Sequence, residues 1–137
     1  MDDQPKKKIM VLSRKTDKPF TFRVIESGSK VALELTNGCD QTLKCVEILS
    51  IFLKDTEAPG GGPSRAHIRF EGMESIQPGA MTVLSPQTWI DGKPAAADHD
   101  QAARLNEIPG QSKPYVLDIS WQDVEEKMRF QRIPVGH

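Results

Sequence analysis

The chain has little of what marks a dedicated catalyst. Among 137 residues there are two cysteines, three histidines and one tyrosine. Cys39 and Cys45 stand six apart, which is not a CxxC redox pair and supplies too few sulfurs for a thiolate zinc site. A hairpin can bring such positions together, so a disulfide stays open; with no leader in view, two free thiols are the expectation. No GxSxG turn is present, and no Cys/His pairing follows from spacing. The glycine run "APGGGPSR" (58–65) lacks the Gly-Lys-Ser/Thr ending of a phosphate loop and precedes a strand, so it reads as an inter-strand loop. Glu125-Glu126 reads as a solvated turn. The expectation is no enzymatic activity and no cofactor.

Charge of one sign is missing too. With 18 basic against 19 acidic residues the net charge is −1, which predicts no general attraction to nucleic acid or an anionic membrane. The basic cluster Lys6-Lys7-Lys8 follows Asp2 and Asp3, and residues 1–7 read as a flexible, solvated arm. No apolar run approaches the ~18 residues of a membrane span. "MDDQPKKKIMVLSRK" has the lysines of a signal peptide without its apolar core or small-residue cleavage site. The expectation is a soluble, cytoplasmic chain, with a secreted or periplasmic one standing open if a leader has been removed.

What is there is alternation and punctuation. Ten glycines and ten prolines fall between apolar segments, not inside them. "FTFRVI" (20–25) sets Phe20, Phe22 and Val24 on one face. "KVALELT" (30–36) does the same with Val31, Leu33 and Leu35, and "RAHIRFE" (65–71) with Ala66, Ile68 and Phe70. "YVLDISW" (115–121) aligns Tyr115, Leu117, Ile119 and Trp121, and "KMRFQRI" (127–133) follows the turn "QDVEE". "AMTVLS" (80–85) follows the turn Gln77-Pro78-Gly79, and "KIMVLSR" (8–14) is a less regular candidate. Period-two alternation means sheets with one wet face. Together the segments predict an all-β chain: residues 8–137 as a single antiparallel β-sandwich domain of about seven to eight strands. A polar, alanine-containing stretch bounded by prolines, residues 91–113, reads as a long, partly helical connection, with Asp98 capping a short helix that runs to about Glu107.

One stretch points two ways. In "LKCVEILSIFL" (43–53) the polar residues Lys44, Glu47, Ser50 and Lys54 recur at helical spacing, while Val46, Ile48, Ile51 and Phe52 favour extended backbone. Amid so many strand candidates the stretch reads as a strand. Val46, Ile48 and Phe52 then face one way, and Cys45, Leu49, Ile51 and Leu53 the other. The second set also needs cover, because a long apolar stripe rarely faces water in a monomer. The 91–113 connection, the N-terminal strand and another protein chain are the candidates.

"KVALELTNGCDQTLKCVEILSIFLKD", "IQPGAMTVL" and "YVLDISWQDVEEKMRFQ" together resemble the strand order of immunoglobulin-like and fibronectin-type-III-like β-sandwiches, over about residues 20 to 134. The resemblance is one of texture: the Cys…Trp…Cys framework of antibody domains is absent, and the 91–113 connection is long. It implies an Ig-like fold that serves as a binding or spacer module.

The leading functional expectation is therefore a non-catalytic module that binds a protein partner or a second copy through Cys45, Leu49, Ile51 and Leu53, with Trp89 as a neighbour. The rival is a metal- or small-ligand-binding protein, possibly an enzyme, using His67, Asp98, His99 and Asp100, residue types that ligate divalent metals. Against it, three ligand-type residues in a row do not easily reach one ion. A third reading is sugar binding by an exposed Trp89. The bland reading of Trp89 is an anchor for the connection it opens.

Overall fold

The alternating segments fold as strands, and the second strand hands the chain from one sheet to the other at Asn37. The structure, a computed structural model, describes residues 18–27, 30–52, 66–106 and 115–135. The arm 1–7, the candidate strand 8–14, Leu53, Glu107 and the glycine run 58–65 lie outside the described residues. Among the described residues ten strands follow in order: β1 (Phe20–Ser27), β2 (Lys30–Asn37), β3 (Leu43–Phe52), β4 (Ala66–Phe70), β5 (Met73–Ile76), β6 (Met81–Leu84), β7 (Pro86–Ile90), β8 (Lys93–Pro94), β9 (Tyr115–Gln122) and β10 (Met128–Val135).

They form two antiparallel sheets. One has three strands in the order β1-β2-β6; the other has seven, in the order β10-β9-β3-β4-β7-β8, with β5 also pairing β3. The fold is all-β and sandwich-like. Inward residues of both sheets share one core: Leu33, Leu35 and Leu84 from the small sheet meet Ile48, Phe52, Ile68, Leu117 and Ile119 from the large one. Phe20 of β1 meets Trp121 of β9 edge-on, with ring centroids 5.2 Å apart. At the rim, Gln131 of β10 ties the sheets together: its side chain accepts from the Phe20 amide and donates to the Phe20 carbonyl, each at 3.0 Å. Both main-chain polar groups of the first residue of β1 are thereby satisfied in a buried place.

Asn37 explains how the chain changes sheets. Its fully buried side-chain amide donates to the carbonyls of Gln41, Ile76 and Gln77, and its Oδ1 accepts from the Cys39 amide. One side chain thus fastens the β2–β3 crossover to the β5–β6 turn. In that turn Pro78 precedes Gly79 at φ +73°, and Ala80 donates to the Gln77 carbonyl at 3.1 Å, a type II turn.

Three strands carry no alternation that announces them: β5, β7 and β8. Asp91 (φ 51°) and Gly92 (φ 80°) form the two-residue hairpin loop between β7 and β8, a type I′ geometry that an Asp-Gly pair favours. The connection beyond it departs from the expected helix. It makes two short 3₁₀ turns, Ala97–His99 and Ala102–Leu105, and Asp98 caps neither. Asp100 does the fastening: its carboxylate accepts from the buried Thr88 hydroxyl (2.8 Å) and the Ala102 amide (3.0 Å), while the Gln101 amide donates to Thr88 Oγ1. That anchor holds Asp100 in extended backbone (φ −65°, ψ 131°) and interrupts the helix after one turn. Leu105 then plugs the core, and its carbonyl accepts from the Tyr115 hydroxyl at 2.8 Å. The connection therefore covers the inner core.

Candidate functional site

The outward face of the seven-stranded sheet carries the candidate site, and the strand register builds it row by row. One row runs Pro134–Val116–Ile51–His67–Trp89–Pro94 across six strands. The next runs Arg132–Asp118–Leu49–Arg69–Gln87. A third holds Phe130, Ser120 and Glu47. Leu49 and Ile51 are half-buried at the centre, and Val116 and Asp118 on β9 are buried although they point outward. The strand β3, flanked on both sides, owes this to its lateral neighbours. Toward the β10 edge the face ends in Phe130 and Met128, which are 57% and 65% exposed.

The charges on this face fall into two kinds. Arg132 grips Asp118 with two parallel bonds, Nε to Oδ1 at 2.7 Å and Nη2 to Oδ2 at 2.8 Å, the planar fork arrangement that arginine favours. The bonded carboxylate raises the Arg132 pKa above its ordinary value, so the guanidinium stays charged. Arg69 is different. Its guanidinium carbon lies 3.9 Å from the centre of the Trp89 ring, and its Nε donates to Nε2 of His67 at 3.0 Å. The His67 and Trp89 rings are near-parallel, with centroids 6.3 Å apart. An imidazole nitrogen that accepts from arginine carries no proton. Partial burial, and then the Arg69 charge, lower the His67 pKa from 6.5, which agrees with that neutral form.

Two hollows flank Phe130. One, of about 320 Å³, is lined by Leu49, Arg69, Phe70, Asp118, Ser120 and Phe130 among others; the second, of about 490 Å³, sits at the β9–β10 hairpin beside Met128 and Val124. The hairpin is held by Asp123, which accepts from the amides of Glu125 and Lys127 and from Arg129 Nε. Those bonds, Arg129 first, lower the Asp123 pKa from 3.8.

The residues expected from sequence distribute as follows. Leu49 and Ile51 share the outward face of β3, and Trp89 lies in the same row as Ile51, two strands away. Cys45 is exposed and free, at φ 53° in a bulge where the β3–β9 register shifts between Lys44 and Glu47. Cys39 is buried, unpaired with Cys45, and desolvation raises its thiol pKa. The metal-ligand set does not come together. Asp100 is spent on Thr88 and Ala102, on the inner side of β7, whereas His67 faces outward beside Trp89. Asp98 and His99 are exposed and lie 3.8 Å from each other. Among the described residues no three His, Cys, Asp or Glu side chains stand close enough to hold a metal ion. The connection is fastened by hydrogen bonds to Thr88, while its neighbour Trp89 pairs in register with Pro94 of the same connection and carries Arg69 over its ring. Arg69 reads from the sequence as an outward residue of 65–71 with no role of its own. Its signal was its place two residues after His67 on an outward strand face, without the partner strand that gives it meaning.

No helix among the described residues is long and apolar enough to cross a membrane. No family model matches the chain, and no curated protein matches it in sequence.

Proposed function

We propose that the chain is a non-catalytic binding module whose working surface is the outward face of the seven-stranded sheet, centred on Leu49 and Ile51. The observation that carries this reading is that Leu49 and Phe130 line one hollow of about 320 Å³ on that face, with half-buried Ile51 beside Leu49 on β3. The described turn Ala102–Leu105 packs against β2 and β7, and its Arg104 lies over the ring of the inward Phe52. An apolar face of this kind marks an interaction surface more often than it marks chance. Each Å² of apolar area buried there contributes about 25 cal/mol before association costs. The sandwich architecture supports the reading by its resemblance to immunoglobulin-like and fibronectin-type-III-like modules, which bind or space.

The test is Leu49→Glu and Ile51→Glu, made separately. Both variants are expected to melt cooperatively and to lose association, with a stability cost of about 1 kcal/mol each for half-buried positions. Light scattering over a concentration series separates the occupants: a dimer dissolved by the substitutions means a second copy, and a monomer means a foreign partner. A variant that does not fold would assign the residue to the core of the monomer and remove the proposal.

A further inference from the structure

Three of the five arginines among the described residues hold a carboxylate, and a fourth, Arg104, lies over the Phe52 ring. Arg23 holds Glu34, Arg129 holds Asp123 and Arg132 holds Asp118. Arg69 has no carboxylate partner among the described residues, yet it is fixed in place from two sides by the Trp89 ring and by His67. With Nε engaged by His67 and the guanidinium carbon over the Trp89 ring, the terminal N–H groups of Arg69 have no protein acceptor among the described residues and can meet a carboxylate. Because the side chain is already held, less rotamer freedom is lost when a ligand arrives.

We infer that Arg69 is a recognition residue for a carboxylate, and that the sheet face takes an extended peptide bearing one acidic side chain among apolar ones. The inference rests on the outward face being the working surface, and it adds the chemistry of the partner. Arg69 lines the same hollow as Leu49 and Phe130, with Glu47, Asp118 and Ser120 also on its wall, so a carboxylate on the guanidinium brings an adjoining apolar side chain within reach of Leu49 and Phe130. The other charges narrow the choice. Asp118 is neutralised by Arg132, but Glu47 stands two residues from Leu49 on the same face, about 7 Å along β3, and has no arginine or lysine partner among the described residues. A run of acids would meet Glu47; a single acid with an apolar or basic residue two positions away meets complementary charge at both ends. Nucleic acid fits poorly, since its affinity comes from many cations acting together, whereas here Arg132 is spent on Asp118 and Arg69 shares its hollow with Glu47.

The experiment is selection from a displayed random nonapeptide library on the wild-type protein, Arg69→Gln and Leu49→Glu, each first confirmed folded by its melt. The wild-type protein is expected to enrich peptides with one Asp or Glu flanked by apolar residues. A synthetic peptide from that pool is expected to bind about tenfold more weakly to Arg69→Gln, and to lose as much when its acid is replaced by the amide, the scale of one charged hydrogen-bonded pair. Combining the two changes should cost little beyond either alone, which a merely structural role for Arg69 would not produce. Enrichment of acid-free peptides that Leu49→Glu abolishes overturns the carboxylate assignment and leaves the working face standing. A wild-type protein that selects nothing beyond what Leu49→Glu selects overturns both.

Discussion

The two sheets share one core and present different outward faces. On the small sheet the outward rows are Thr21–Thr36–Met81, Arg23–Glu34–Val83 and Ile25–Ala32. Its apolar members are scattered, Met81 and Val83 are 59% and 52% exposed, and its ion pair rests on one Arg23 nitrogen that meets both Glu34 oxygens, at 3.0 and 3.1 Å. Single exposed apolar residues of this kind are ordinary. On the large sheet Leu49, Ile51, Val116 and Asp118 are buried or half-buried although they point outward, the Arg132–Asp118 pair is bidentate, and Arg69 is held without an acid among the described residues. The difference teaches that flanking changes what an outward position is. Strands β2, β3 and β9 have a neighbour on each side and hold Glu34, Leu49 and Val116 half-buried or buried. Edge strands leave Arg23, Val83 and Phe130 wet, and the wide sheet has more flanked strands.

The strongest contrast lies between core and surface. Leu117→Ala, at a fully buried position between β3 and β10, is expected to cost about 2–5 kcal/mol, whereas Val83→Ala should stay within about 0.5 kcal/mol. Denaturant titrations of both variants decide it; a small loss at Leu117 would mean that the two sheets do not share a packed core. Next, Arg132→Ala should lower the melting temperature more than Arg23→Ala, because it strands the buried Asp118 carboxylate while Glu34 stays closer to water. Equal shifts would make the two outward faces electrostatically alike.

A smaller effect depends on pH. The folded chain binds the His67 proton less readily than the unfolded chain, whose value is near 6.5. Its contribution to stability is therefore complete above that value, declines as pH falls through the lowered folded value, and is gone below it. The slope that His67→Gln removes between pH 7 and 5 isolates this part from the carboxylates. Protonation also takes away the acceptor that holds Arg69, so ligand binding should weaken in the same window. No corresponding imidazole lies on the described part of the small sheet. A His67→Gln protein with an unchanged pH profile would detach the imidazole from the arginine.

Much of the fold was legible because period two is a plain signal where a strand has one wet face. The inward sets of 20–25, 30–36, 65–71 and 115–121 are those that alternation marks out. The stretch 43–53 looked half helical for a physical reason. The bulge at Cys45 puts Leu43 and Val46, three residues apart, on the same inward side before alternation resumes through Ile48, Ser50 and Phe52. A three-residue step is what a helix also shows. Strands β5, β7 and β8 were hidden because four residues of "MESI", or a segment opening on Pro86 and Gln87, carry too little apolar contrast, and their place follows from partners far away in the chain. The candidate site divides the same way. Leu49 and Ile51 were readable from their own strand, while the Arg69–Trp89 stack depends on β4 pairing with β7, about twenty residues later. The fate of Asp100 was hidden likewise, since Thr88 had to be brought to it.

The most direct measurement of the central claim is a methyl chemical-shift map of the isotopically labelled protein as a library-selected peptide is added. The account predicts shifts at Leu49 and Ile51, with little change at Ile25 and Val83 on the opposite sheet. Shifts concentrated at Ile25 and Val83, with Leu49 and Ile51 unmoved, would contradict it.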